Sequence, residues 1–139
     1  MRKAFTLVEI LIVVVILGIL AGVVVPQFSQ ATSQAKEVAT LEHVTRLRRA
    51  LAVYYVRNNS AFPAITAGNG SWGELISAGY LKGSLPTNDW VGGPSARNII
   101  IRETPDTTYH MNYGWIYDPT TGNVWAAGFD AQDNAIPRP

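Results

Sequence analysis

The sequence predicts an α+β fold: a long N-terminal helix, apolar and membrane-spanning in its first half, packed in its second half against a small antiparallel β-sheet. Three observations predict it. Residues 5–26, FTLVEILIVVVILGILAGVVVP, give about 21 apolar positions before the proline with one charge, Glu9. Residues 27–57 contain no Gly or Pro and repeat their apolar positions at the helical period. After residue 97, a branched Ile run and a stretch of alternating aromatics read as strands.

At 1.5 Å rise per residue the first run covers roughly 30 Å, the thickness of a bilayer's hydrocarbon core. Arg2 and Lys3 stand just ahead of it, so the positive-inside rule leaves residues 1–4 cytoplasmic and sends the rest outward. Glu9 is the anomaly, because a carboxylate in hydrocarbon costs on the order of 3 kcal/mol on insertion scales. A secretory signal peptide shares the basic start, but this run is long, holds an acid near its beginning and lacks a clear A-x-A cleavage site. A plain single-span anchor explains the length and gives Glu9 no purpose. An anchor with a specific partner for Glu9 explains both, and on the residues alone all three readings stay open.

Pro26 costs an interior helix about 3 kcal/mol, yet the helical pattern resumes beyond it. Val44, Leu47, Leu51, Tyr54 and Tyr55 fall on one face, with Glu42, Arg46, Arg49 and Arg57 opposite. Phe28, Ala31, Ala35, Val38 and Leu41 turn to another side. Two packing partners are implied: the chain's own domain above, and other subunits or lipid below. One drifting stripe is the alternative. Asn58-Asn59-Ser60 ends the helix, and Ser71 to Glu74 has capping-box spacing for a short helix through Ser77, which Gly79 ends. Strands are expected at residues 98–102, 108–117 and 124–127. In the middle one Tyr109, Met111, Tyr113, Trp115 and Tyr117 share a face that covers Leu51 and Tyr54. Residues 118–123 read as a hairpin loop with Gly122 in the left-handed position.

Composition narrows the function classes. A net charge of +1, with Lys and Arg scattered along the chain, argues against a nucleic-acid partner. Having no cysteine excludes a disulfide framework, Cys-based zinc sites and a lipoprotein anchor. Gly68 to Gly73 spells G-x-G-x-x-G without the preceding strand or long following helix of a dinucleotide site. His43 and His110 have no nearby nucleophile or carboxylate in sequence to suggest a triad, so no catalysis is expected. The sequons at Asn58 and Asn69 matter only in a glycosylating host. The aromatic stripe, with Trp115 and Trp125, suits either a sugar platform or a core. Asp130, Asp133 and Asn134 form an oxygen-rich cluster of the kind that suits Ca²⁺, or else an ordinary turn.

Arg2-Lys3-Ala4 followed by Phe5-Thr6-Leu7-Val8-Glu9 resembles the processing site of type IV prepilins and type II secretion pseudopilins. The resemblance implies cleavage between Ala4 and Phe5 by a prepilin peptidase/methyltransferase, N-methylation of Phe5, and assembly through Glu9, which pairs with the amine of a neighbouring subunit. Gly18 and Pro26 fall at the family's helix-weakening positions. Ala4 departs from the Gly that usually precedes the cut. The likeness is close over about the first 30 residues and architectural beyond. It implies a leader at 1–4, a transmembrane and assembly helix at 5–26 and a periplasmic domain at 27–139. That domain divides into helix 27–58, loop and short helix 59–97, antiparallel sheet 98–127 and C-terminal loop 128–139. Major pseudopilins carry calcium in that last loop, which makes Asp130, Asp133 and Asn134 the implied metal ligands. The implied role is structural: a single-pass precursor in the lipid of the bacterial inner membrane, N-terminus inside. An assembly platform then builds it, with related minor subunits, into a homo-oligomeric helical filament in the periplasm or at the cell surface. The missing cysteines favour a pseudopilin of type II secretion over a type IV pilin of an extracellular pilus. A membrane-anchored carbohydrate-binding module is the reading from a different class, and a tethered enzyme a third.

Overall fold

The computed structural model describes residues 4–68 and 70–139. Arg2 and Lys3, and the Asn69 sequon, lie outside the described residues. The chain divides into two units, Met1–Ala35 and Lys36–Pro139.

Helix α1 spans Leu7–Arg57 and continues through Gly18, Gly22 and Pro26. In the first unit every described residue is exposed, the apolar run included. This part of α1 is long and apolar enough to cross a membrane. Its apolar surface runs all round the helix rather than along one stripe, as a lipid-facing segment requires.

In the second unit α1 buries Thr40, Val44, Leu47, Ala50, Leu51 and Tyr54. The predicted stripe is therefore the core-facing one, except that Tyr55 is half-buried and stacks on Phe62 at 4.5 Å. On the other predicted side Phe28, Ala31, Ala35 and Val38 are exposed, and Leu41 packs against the core. The helix ends where Asn59 and Ser60 adopt φ of 53° and 59°, and the Ser60 N–H returns to the Tyr55 carbonyl at 3.0 Å.

Helix α2 is Gly73–Ser77, closed by Gly79 at φ 77°. The capping box expected at Ser71 is not formed: Trp72 is the N-cap, left-handed at φ 46°, with no side-chain cap bond. Its indole is fully buried edge-on against Trp115 and Tyr117, at 6.2 and 6.3 Å, and that packing sets the turn. Glu74 accepts instead from the Tyr54 hydroxyl.

Strands β1 (Ile99–Ile101), β2 (Trp115–Tyr117) and β3 (Val124–Ala126) form one sheet in the order β1-β2-β3. β2 and β3 are antiparallel, Trp115 opposite Ala126, through the expected hairpin with Gly122 at φ 71°. β1 and β2 are parallel, Ile99 opposite Trp115, so the sheet is mixed and the antiparallel expectation is corrected there. The reason lies in residues 102–114, which form a connection rather than the first half of a strand. Asp106 is buried in it, accepting from Arg102 Nη2 (2.5 Å) and Tyr113 Oη (2.7 Å) on one oxygen and from the Gly128 N–H (3.0 Å) on the other. Gly114 lies so close to the Ala96 carbonyl that a Cβ would collide with it. The predicted aromatic face splits accordingly. Trp115 and Tyr117 join Leu51 and Tyr54 in the main core, Tyr113 packs with Ile116 on the other side of the sheet, and Met111 is exposed.

Asn88 ties these layers together. Fully buried, it donates through Nδ2 to the Gly114 and Ala127 carbonyls (2.8 and 2.9 Å) and accepts the Val91 N–H on Oδ1 (3.0 Å). Next to it the Thr40 hydroxyl, from α1, accepts the Trp90 N–H at 3.1 Å and donates to the Lys36 carbonyl at 2.8 Å. Asn88→Ala strands two buried backbone groups, the Ala127 carbonyl and the Val91 N–H. It also costs the Gly114 carbonyl one of its two donors, the other being the Ala127 N–H. Each stranded group costs about 1–3 kcal/mol. Denaturant unfolding of the full chain in detergent should show a loss on the order of 3 kcal/mol or more.

Two phenols report the same core. Burial, first of all, pushes Tyr113 and Tyr117 up to about 12. The neutral phenol is thus the form that folding favours. Its stabilisation is complete below the ordinary value of 10 and is lost as pH rises through about 12. The Tyr54 phenol is also raised, first by donating to Glu74. Phenolate absorbance of the folded chain should therefore show three of the six tyrosines ionising late, with unfolding setting in across that window.

Candidate assembly site at the start of helix α1

Thr6 stands immediately before α1, and Glu9 is in its first turn. The Thr6 backbone N–H and its hydroxyl both donate to Glu9 Oε2, at 2.8 and 2.7 Å. The Glu9 N–H returns to Thr6 Oγ1 at 3.3 Å. This is a reciprocal capping box, T-x-x-E, satisfying donors that the helix start would otherwise leave free. The carboxylate also lies at the positive end of the helix dipole. Glu9 therefore has a partner in its own chain, which the sequence reading missed. The signal was present in Thr6-Leu7-Val8-Glu9, but the run was read as membrane interior rather than as a helix terminus.

Around this cap the side chains are open. Phe5 and Leu7 are each 81% exposed, and Phe5, Leu7, Ile10, Leu11 and Val14 line a shallow apolar surface beside Thr6. Farther along, nothing approaches the space a side chain would fill at Gly18 or Gly22. Pro26 lacks the N–H that would meet the Gly22 carbonyl. The arrangement offers one carboxylate, with only Oε2 engaged among the described residues, set in a surface suited to lipid or to other apolar helices.

The second candidate, the C-terminal loop, is arranged differently from a cation cage. Asp130 and Asn134 come together: Asp130 Oδ1 accepts the N–H groups of Gln132 and Asn134 at 2.9 Å each, and Asn134 Nδ2 also donates to it. These bonds, led by the Asn134 backbone N–H, hold the Asp130 carboxyl below the usual carboxylate range. Asp133 joins it only through its backbone N–H, which donates to the Asp130 carbonyl at 3.1 Å; its carboxylate stands apart. Both its oxygens receive the Arg48 guanidinium, at 2.5 and 2.8 Å. Asn134 presents a donor to the cluster, and a guanidinium holds the third ligand, so the set as arranged does not fit Ca²⁺. No group of three or more His, Cys, Asp or Glu able to hold a metal occurs among the described residues.

The remaining motifs resolve into structure. Gly68 and Gly70 have positive φ in a loop, Gly68 bridging to Ile99, and Gly73 opens the five-residue α2 at φ 41°. His110 stacks on Tyr113 at 5.7 Å, and His43 is half-buried on α1. Trp115 is fully buried, its indole N–H on the Pro86 carbonyl at 3.3 Å, so it presents no face to a sugar. Cations scattered in sequence are gathered in space: Arg46, Arg49, Arg57 and Lys82 line one groove on the second unit. That corrects the reading of an unpatched surface.

Residues 1–25 match the family described as the prokaryotic N-terminal methylation motif. The chain is 32% identical to the type II secretion system core protein G of Vibrio cholerae, over 96% of this chain and 86% of that protein. The chain belongs to the pilin and pseudopilin family. The corresponding core protein G of Pseudomonas aeruginosa is 37% identical over 67% of this chain and 70% of that protein. A type IV narrow pilus major component of Thermus thermophilus is 40% identical over 76% and 83%. No solved structure matches the chain. The long apolar helix and small α+β domain are pilin-like, and the helix and methylation motif together are those of a membrane-anchored precursor subunit.

Proposed function

We propose that this pilin-family chain is a pseudopilin of a type II secretion system, with a mechanical role and no chemistry of its own. The observation that carries the reading is its similarity to core protein G along nearly its whole length. The absence of cysteine agrees with it. The precursor sits in the inner membrane through residues 5–26, Arg2 and Lys3 on the cytoplasmic side and residues 27–139 in the periplasm. A prepilin peptidase/methyltransferase cuts between Ala4 and Phe5 and methylates the new amine. An assembly platform extracts the subunit, and minor subunits join the same filament. The Thermus thermophilus relative supports a second reading, the major subunit of a type IV pilus. The two readings share every step up to the destination of the filament.

Cleavage changes the electrostatics at the cap. It frees a cation at Phe5, one turn from Glu9, whose Oε2 is already held by Thr6. In a stack, Glu9 of one subunit meets the amine of the next, and two costly charges become one neutral pair. Removing one partner of such a buried pair costs about 3–5 kcal/mol. Gly18 and Pro26 make the segment between them the part of α1 that unwinds most readily as helices pack in the filament core.

Mass spectrometry of the native protein should find the N-terminus at Phe5, methylated. An intact Met1, or a cut near Ala21, would sink this reading.

The cap and the charge at Glu9 are separable. Glu9→Gln keeps a capping-box acceptor and loses the charge, whereas Thr6→Ala loses the cap and keeps the charge. With the parent deleted, both variants should insert and be cleaved. Sheared filament yield should fall at least roughly tenfold for Glu9→Gln and Glu9→Leu, and stay near normal for Thr6→Ala. Full yield from Glu9→Gln would assign the residue to capping alone.

A further inference from the structure

We infer that the guanidinium of Arg48 is the resident cation of the C-terminal loop, clasping it to helix α1 and strand β3 in place of a metal ion. The loop is a closed ring. Phe129 bridges to Ala135, the Ile136 N–H returns to the Gly128 carbonyl at 2.8 Å, and the Asp130 N–H to the Asn134 carbonyl at 3.0 Å. Phe129 is fully buried at one end of the ring. At the other end Asp133 adopts φ 62°, a left-handed conformation uncommon for a residue with a side chain.

Arg48 meets the ring there. Its Nη1 and Nη2 donate to Oδ2 and Oδ1 of Asp133 at 2.5 and 2.8 Å, a two-pronged pair. Its Nε and Nη2 also donate to the Val124 carbonyl at the start of β3, at 3.2 and 3.1 Å. One planar cation thus joins α1, β3 and the loop, engaging four of the five N–H donors a guanidinium has. A Ca²⁺ ion in an oxygen-rich loop does the same work, drawing carboxylates and backbone carbonyls of separate segments onto one positive centre. Here a carboxylate and a carbonyl of that kind are already spent, and the positive centre is tethered covalently to the helix through the Arg48 side chain.

The side chains of Arg48 and Asp133 are 40% and 27% exposed. For an exposed monodentate pair that degree of solvation would leave little net attraction. The clasp rests on geometry instead. The fork fits the carboxylate, and the carbonyl of Val124 holds the guanidinium plane in place. Lysine, a point charge on a flexible stem, has no equivalent.

The test is amide exchange and thermal unfolding of the full chain in detergent, in EGTA and in excess calcium. The parent should give the same midpoint and the same loop exchange in both. Arg48→Met should speed exchange of the Asn134 and Ile136 amides by roughly tenfold or more, and Arg48→Lys should restore only part of the protection. Should Arg48→Met fail to fold, Asp133→Asn opens the same clasp from the loop side and should give the same acceleration. Calcium-dependent protection of the parent, or unchanged exchange in both Arg48→Met and Asp133→Asn, would overturn the inference.

Discussion

An apolar side chain kept from burial forgoes about 1.5–3 kcal/mol, and α1 carries more than a dozen such side chains, all exposed, from Leu7 to Phe28. The described residues do nothing to cover them. That surface has to be met by lipid or by equally apolar helices, and the hydrophobic effect hardly distinguishes between the two, because acyl chains are as apolar as leucine. Moving a subunit from membrane to filament is therefore nearly neutral for the aliphatic residues. Whatever decides between the two environments must come from packing detail and from the few polar groups carried along. In α1 the one ionisable group of the apolar run is Glu9.

The capping box changes how Glu9 should be understood. A lone carboxylate in hydrocarbon would be a liability with no return until assembly. Bonded to two Thr6 donors at the positive end of a helix, it is already partly compensated in the single subunit. The same position starts the helix and leaves Oε1 without a partner among the described residues, the oxygen that the proposed assembly would give to a neighbour's cation. A residue farther along the run would have no free backbone donors beside it, since mid-helix N–H groups are already bonded. Placement in the first turn is what lets an acid be tolerated before its partner exists.

How much of this was legible in the sequence depends on the range of the interaction. The stripe of Val44, Leu47, Leu51 and Tyr54 obeys a local period and was read correctly, as was the left-handed Gly122 in its hairpin. The parallel pairing of β1 with β2 was not, because the cause is the buried Asp106 gathering Arg102, Tyr113 and the backbone of Gly128. Alternating aromatics cannot reveal that the chain at residues 108–113 is spent on a connection. Arg48 was overlooked for a related reason: it lies between the two faces assigned to α1, and its partners are distant in sequence. At the assembly site Thr6 was in plain view, and only the treatment of residues 5–26 as one membrane-interior run hid its role.

These long-range polar contacts share a purpose in a chain without cysteine. The second unit has a core but short strands of three residues each, and long stretches between elements carry no ladder bonds. Loops of that kind gain order from groups that can answer several backbone donors and acceptors at once. Asn88 does so inside the sheet, Asp106 under the β1–β2 connection and Arg48 over the C-terminal ring. Each is sited where the backbone would otherwise be buried or turned without a partner, the condition under which an unmade hydrogen bond is most costly. Because all three act within residues 36–139, the outer unit can hold its shape whether the apolar part of α1 is met by lipid or by other subunits. A subunit that must change its surroundings without refolding its outer unit needs that independence.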